Sequence, residues 1–163
     1  MEGLVLDNSR WQALYDRPTD RIIGRLKAGT DLFTGIKEVC NHFGVKGGQF
    51  QCMGSLKQAT YVQVQRGEKQ GTIVYSPKRQ TTSPVELISG LGFIGIDMET
   101  NDLDIHFHGS FVDCDQHFTG GHFLEGENEI AITVEFILYP LREAIPKRRK
   151  DHQFGVLIFH FDE

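Results

Sequence analysis

The sequence predicts an α+β fold: a twisted antiparallel β-sheet packed around one main α-helix. Two patterns carry the prediction. Residues 30–44 hold apolar side chains at helical spacing, and the chain after them is a succession of segments rich in β-branched and aromatic residues. The connections between those segments are short, which implies mostly antiparallel pairing.

Taken in order, residues 1–20 read as an N-terminal extension before the core, punctuated by Pro18, and residues 21–163 as a single domain. "RIIGRLKAGTD" begins as a strand and ends in a turn. Leu32, Phe33, Ile36, Val39, Cys40 and Phe43 then lay an apolar stripe along one helix face. Thr30 suits the N-cap, Asp31 complements the positive helix start, and Gly44 is placed to end the helix. "QFQCMGSL", "QATYVQVQ", "TIVYS", "PVELISGLGFIGID", "LDIHFHGSFVD", "EIAITVEFILY" and "FGVLIFHF" follow as strands, separated by glycines and by Asn-Asp and Ser-Pro dipeptides. In the sixth of these, Ile130, Ile132, Val134, Phe136 and Leu138 alternate with Ala131, Thr133 and Glu135, as in a sheet with one face on the core.

A chain of 163 residues, 39% of them apolar and 24% charged, can bury a core without disulfides or a structural metal, so a bound ion would be functional rather than a folding staple. The formal net charge of −5 argues against a surface built mainly to neutralise phosphates. Cys40, Cys52 and Cys114 show no CxxC spacing, and "MEGLVLDNSR" lacks a signal pattern; together these predict a reducing, cytoplasmic setting. No apolar run approaches the ~18–20 residues of a membrane span, so no membrane partner is expected.

Chemistry concentrates in "DIHFHGSFVDCDQHFTGGHFLEG". If residues 103–113 form a strand, His106 and His108 project from one face, because side chains alternate with period two. A turn over residues 113–118 would return the chain, and Gly120 and Gly121 permit unusual dihedrals and close backbone approach. His122 would then come back beside the other two. Three neutral imidazoles with an open coordination position suit a divalent transition metal, zinc first, with nickel, iron or manganese as other occupants. Glu125, three residues on, is an accessory candidate as fourth ligand or general base against the plainer reading of a solvated carboxylate, and Glu135 is a weaker one of the same kind. His117 belongs to the exposed hairpin tip beside Asp113 and Asp115. His42, His152 and His160 have no comparable company.

A separate stretch, "PKRRKD", sets Lys147, Arg148, Arg149 and Lys150 in a row. Such a run is usually a solvated loop between strands, with nucleic-acid binding as its alternative role.

The ordered set "RLKAGTDLFTGIKEVCNHFGVKGGQFQCMGSLKQATY", "PVELISGLGFIGI", "DIHFHGSF", "GGHFLEG" and "ITVEFIL" resembles the plant-and-prokaryote conserved (PPC) domain over roughly residues 21–139. No single motif is diagnostic, but the ordered set is quite specific. The resemblance implies an antiparallel sheet with a central helix, assembled as a homotrimer. Prokaryotic members often carry an HxH and a GGH. These match His106, His108 and His122, so the resemblance implies a metal site at the same three residues. Plant members add an AT-hook, an Arg-Gly-Arg-Pro element that enters the minor groove. This sequence has none, which removes the clearest physical reason for DNA binding, although many prokaryotic members are described as DNA-binding.

Three functions are therefore expected to compete. The first is a trimer whose metal acts on or senses a small-molecule ligand. The second is a DNA-binding or regulatory trimer using Lys147–Lys150 without an AT-hook. The third is an interaction trimer whose ion only rigidifies the hairpin. The sequence carries no nucleophile–base pair, P-loop or GxGxxG fingerprint, so no reaction class follows from it.

Overall fold

The computed structural model describes residues 5–161. Its elements in chain order are β1 (Leu6–Asp7), β2 (Trp11–Asp16), β3 (Arg21–Lys27), α1 (Leu32–Phe43), β4 (Gly48–Leu56), β5 (Thr60–Val62), β6 (Val64–Arg66), β7 (Ile73–Tyr75), β8 (Arg79–Gln80), β9 (Val85–Asp97), β10 (Leu103–Asp113), β11 (Phe118–Phe123), β12 (Ile130–Pro140), β13 (Lys147–Lys150) and β14 (Leu157–His160). One 12-stranded sheet runs β1-β2-β3-β12-β4-β9-β10-β11-β5-β8, with the β13–β14 hairpin joined to β9; β6 and β7 form a separate ribbon. Among the described residues every strand pairing is antiparallel apart from β13 on β9. The α+β class is as expected: mostly antiparallel sheet with one helix. Among the described residues no helix is long and apolar enough to cross a membrane.

The helix buries the predicted stripe, with Leu32, Phe33, Ile36, Val39 and Cys40 in the core and Phe43 packed at its edge. Its N-cap is Asp31, not Thr30. One Asp31 oxygen accepts from the Thr34 N–H at 3.0 Å and the other from the Asn128 N–H at 3.1 Å, so a single carboxylate satisfies a helix start and a distant loop. Thr30 is buried instead, its hydroxyl donating to the Arg10 carbonyl. Gly44 ends the helix in the left-handed region at φ 67°.

Two further expectations change. Residues 11–16, assigned to an extension before the core, form β2: it pairs with β3 from Trp11↔Leu26 to Asp16↔Arg21 and buries Trp11 and Ala13. Ala13 and Tyr15 follow Trp11 on that face, an alternation too weak to stand out in sequence. Ile132 also leaves its expected face and is 75% exposed, because the register of β12 against β4 shifts between Ile130 and Val134. An irregularity of this kind rotates the side chains it contains.

The aromatic part of the core lies under β10 and β11. Phe107 stacks on Phe50 with centroids 5.5 Å apart, meets Phe33 from the helix edge-on at 6.0 Å, and meets Phe123 at 5.3 Å. Phe107 and Phe111 are buried, so the residues alternating with them, His106 and His108, face away from the core. Burial of the phenyl rings thus fixes which way the imidazoles point.

Candidate metal centre

His106, His108 and His122 converge. Their ring centroids are 4.9 Å (106–108), 4.9 Å (106–122) and 5.3 Å (108–122) apart, and one nitrogen from each lies within 4.8 Å of the others. His106 Nε2 and His108 Nε2 are 3.0 Å apart. Two nitrogens on one tetrahedral zinc, at Zn–N of about 2.0–2.1 Å, stand roughly 3.3 Å from each other, so these need only small rotations to share an ion. His122 Nδ1 is buried and has no hydrogen-bond partner. An orphaned nitrogen in a ring of neutral imidazoles fits a Lewis acid better than it fits a finished hydrogen-bond network.

Register explains the convergence. His108 is the direct partner of His122 across β10 and β11, and His122 in turn faces Val62 on β5. His106 sits one period-two step along, opposite Phe93 on β9. Gly120 and Gly121 hold β11 between its neighbours. A Cβ at Gly120 would come within 2.2 Å of the Gly109 carbonyl oxygen, and one at Gly121 within 2.4 Å of the Val62 carbonyl oxygen. Close approach, then, is what these glycines supply; neither is among the glycines with positive φ. Gln63 fastens the same edge, its Nε2 donating to the Gly120 carbonyl at 2.7 Å.

Burial keeps the imidazoles neutral. Desolvation holds His106 down to about 4, helped by the positive charge of Arg148 and by His108. His122 is likewise lowered to about 4 by burial, then by His106, His108 and Arg148, and His108 is lowered by burial. Neutral imidazole is the ligating form, so at pH 7 protons compete little for these nitrogens.

The other sequence candidates lie elsewhere. Glu125 pairs with Lys37 of α1 at 2.5 Å and does not join the histidine group. Glu135, on β12, accepts from the Thr133 hydroxyl. His117 is exposed at the hairpin tip, where it, Asp113 and Asp115 make a second metal-capable group. The basic run is not a solvated loop: Lys147–Lys150 is strand β13, and Arg148 is buried, 3.2 Å from Asp104 and over the Phe159 ring. Parallel pairing on β9 turns Arg148 inward.

Two neighbours of the cluster had no signal in the sequence. Tyr75 of β7 brings its ring to 5.9 Å from that of His122. Arg148 and Asp104 form a pair beside His106 that only the β13–β9 crossover could reveal.

Comparison with known proteins agrees with the fold. A candidate DNA-binding protein from Ralstonia eutropha superposes with a TM-score of 0.74 at 17% identity, covering 94% of this chain and 97% of that one. A metal-containing protein from Archaeoglobus fulgidus gives 0.70 at 21% identity, covering 98% and 96%. A plant- and prokaryote-conserved (PPC) protein from Pyrococcus horikoshii gives 0.69 at 20% identity, covering 97% and 99%. At such identities the likeness is one of fold. No curated protein matches the chain. The model of the Plants and Prokaryotes Conserved domain (PCC, also written PPC) matches residues 14–142, most of the chain, and the protein belongs to that family.

Proposed function

We propose that this protein is a homotrimer that binds a divalent transition metal, zinc first, through His106, His108 and His122, and uses it to act on or sense a small ligand. The observation carrying the reading is the convergence of three neutral imidazole nitrogens within 4.8 Å on a glycine-pinned hairpin. Three such donors leave a coordination position for water or ligand, and a bound zinc would supply Lewis acidity there. The protein's own contribution is to hold the imidazoles neutral, fix their direction and exclude water from beneath them. The metal-containing Archaeoglobus neighbour accords with this. Metal content measured by mass spectrometry on untagged protein is the test. About one ion per chain, absent from the His106→Ala/His108→Ala variant, is expected; a folded wild type that takes up no zinc overturns the reading.

The trimer draws support from the outer face of the sheet. Ile23, Ile137, Met53, Ile88 and Leu91 lie on the adjacent strands β3, β12, β4 and β9, all 39–61% exposed and lining one shallow depression. Exposed apolar side chains gathered on one face suit an interface. Light scattering giving a monomer mass would remove it. Free Cys40, Cys52 and Cys114 accord with a reducing, cytoplasmic setting.

The second reading, a DNA-binding or regulatory trimer, rests on the names of the Ralstonia neighbour and of a similar Bacteroides thetaiotaomicron protein. Its surface would be β13, from which Arg148 is withdrawn by Asp104, with Lys147 and Lys150 as its candidates. Binding that steepens at low salt and is lost in Lys147→Ala/Lys150→Ala would favour it.

A further inference from the structure

The histidine cluster is not isolated on its face. Tyr75, whose ring neighbours His122, also lines a groove of about 320 Å³ walled by Val64, Ile73 and Val74 from the β6–β7 ribbon and by Phe154 and Val156 from the turn of the β13–β14 hairpin. Val64, Ile73, Val74, Tyr75 and Phe154 are each 46–65% exposed, an unusual gathering of large apolar side chains on one short stretch of surface. The volume is at the small end of ligand pockets.

Charge identifies what the other end of an occupant must carry. All three donors are neutral imidazoles, so the charge of a bound divalent ion is left without compensation by the protein. Asp104, the carboxylate that acts on His106, is already engaged by Arg148. An anionic ligand would supply the missing negative charge. We infer that the centre takes a small carboxylate-type anion with an apolar body, its head at His106, His108 and His122 and its body in the groove beyond Tyr75.

This rests on the metal reading and adds the ligand class to it. The test is calorimetric titration of zinc-loaded wild type with straight-chain carboxylates from acetate to octanoate, with inorganic phosphate alongside. Affinity should rise about fourfold per added methylene until the groove is filled, following the gain from burying each CH₂. Phosphate, lacking an apolar body, should bind less tightly than octanoate. The variant Val64→Ser/Ile73→Ser should flatten the series toward the acetate value, and metal-free protein should bind none of its members measurably. Failure to load zinc defeats the metal reading, and this inference falls with it. Zinc loading with affinity independent of chain length overturns the inference alone, as does equal binding of octanoate to metal-free protein. A change of oligomeric mass in the serine variant together with a flat wild-type series would assign the groove to a second copy of the chain, which also overturns it.

Discussion

The β10–β11 hairpin carries two groups of residues that could hold a metal, about one hairpin length apart, and they differ in every respect but proximity. On the strand face, His106, His108 and His122 are held by ladder register and lean on a buried aromatic layer. At the turn, Asp113, Asp115 and His117 are also close together, but their contacts are already made: Asp113 accepts from the backbone N–H groups of Asp115 and His117, both at 2.9 Å, and from the His117 ring at 3.3 Å. The turn group is a folded loop satisfying itself. The strand group has an orphaned nitrogen and no competing partner outside itself among the interactions described. Nearness of ligand types is weak support for a metal; nearness of unsatisfied ones on rigid elements is stronger.

The sharpest way to break this comparison is to disable each group in turn. His122→Ala should weaken zinc binding by at least about 100-fold, since even outer partners of a ligand can contribute that much. Asp113→Asn/His117→Ala should leave both stoichiometry and affinity unchanged. Competition with a chelator measures both, and the reverse pattern would move the site to the tip.

Next in size is a contrast of two glycines on the same stretch. Gly121→Ala drives a methyl group to 2.4 Å from the Val62 carbonyl oxygen and 2.9 Å from the Tyr61 ring. Overpacking against backbone should cost about 3 kcal/mol in urea unfolding and displace His122, weakening metal binding as well. Gly126→Ala meets nothing within 4 Å and pays only for its φ of +77°, about 1 kcal/mol, with metal binding retained. Equal effects at the two positions would mean that β11 is not wedged as described.

The pH dependence separates the groups by window. His106 and His122 have folded pKa values near 4, below the ordinary 6.5. The unfolded chain therefore binds more protons between these limits, and metal-free protein should lose stability as pH falls from about 6.5 to about 4. In His106→Ala/His122→Ala that slope should largely vanish. Zinc, which binds only the neutral imidazoles, should move the onset of the loss to lower pH in wild type. Thermal unfolding with and without chelator across pH 4–7 reads all three.

What the sequence could reveal of this region follows from locality. Period-two alternation put His106 and His108 on one face, and the turn between residues 113 and 118 brought back His122, because both are consequences of residues close along the chain. The helix stripe and the Gly44 stop were legible for the same reason. The misreadings at Asp31, Ile132 and Arg148 needed a distant partner. Asp31 wins the cap because Asn128 supplies a second donor 97 positions away. Ile132 turns out through a register shift against β4. Arg148 is drawn from a basic surface run into the fold by Asp104 and by a parallel pairing that no short connection predicts. Tyr75 reaches His122 from a ribbon outside the main sheet.

The smallest effect tests the turn group alone. The Asp113 carboxyl is held below its ordinary value, first by the His117 backbone N–H and also by the His117 ring and the Asp115 N–H. A depressed carboxylate contributes stability that is present above its unfolded pKa, about 3.8, and is lost only as pH falls through the lower folded value. Asp113→Asn keeps an oxygen that can accept both backbone N–H groups but removes the charge. Its melting temperature should fall by about 2–4 °C at pH 7, the scale of one modest interaction in a domain of this size. The deficit should persist unchanged to pH 4 and close below it, across a range where the histidine-dependent slope has already run its course. A deficit already closed at pH 4 would mean that the backbone N–H groups do not hold the Asp113 carboxylate in its charged form, and the turn group would then not be the self-satisfied loop described.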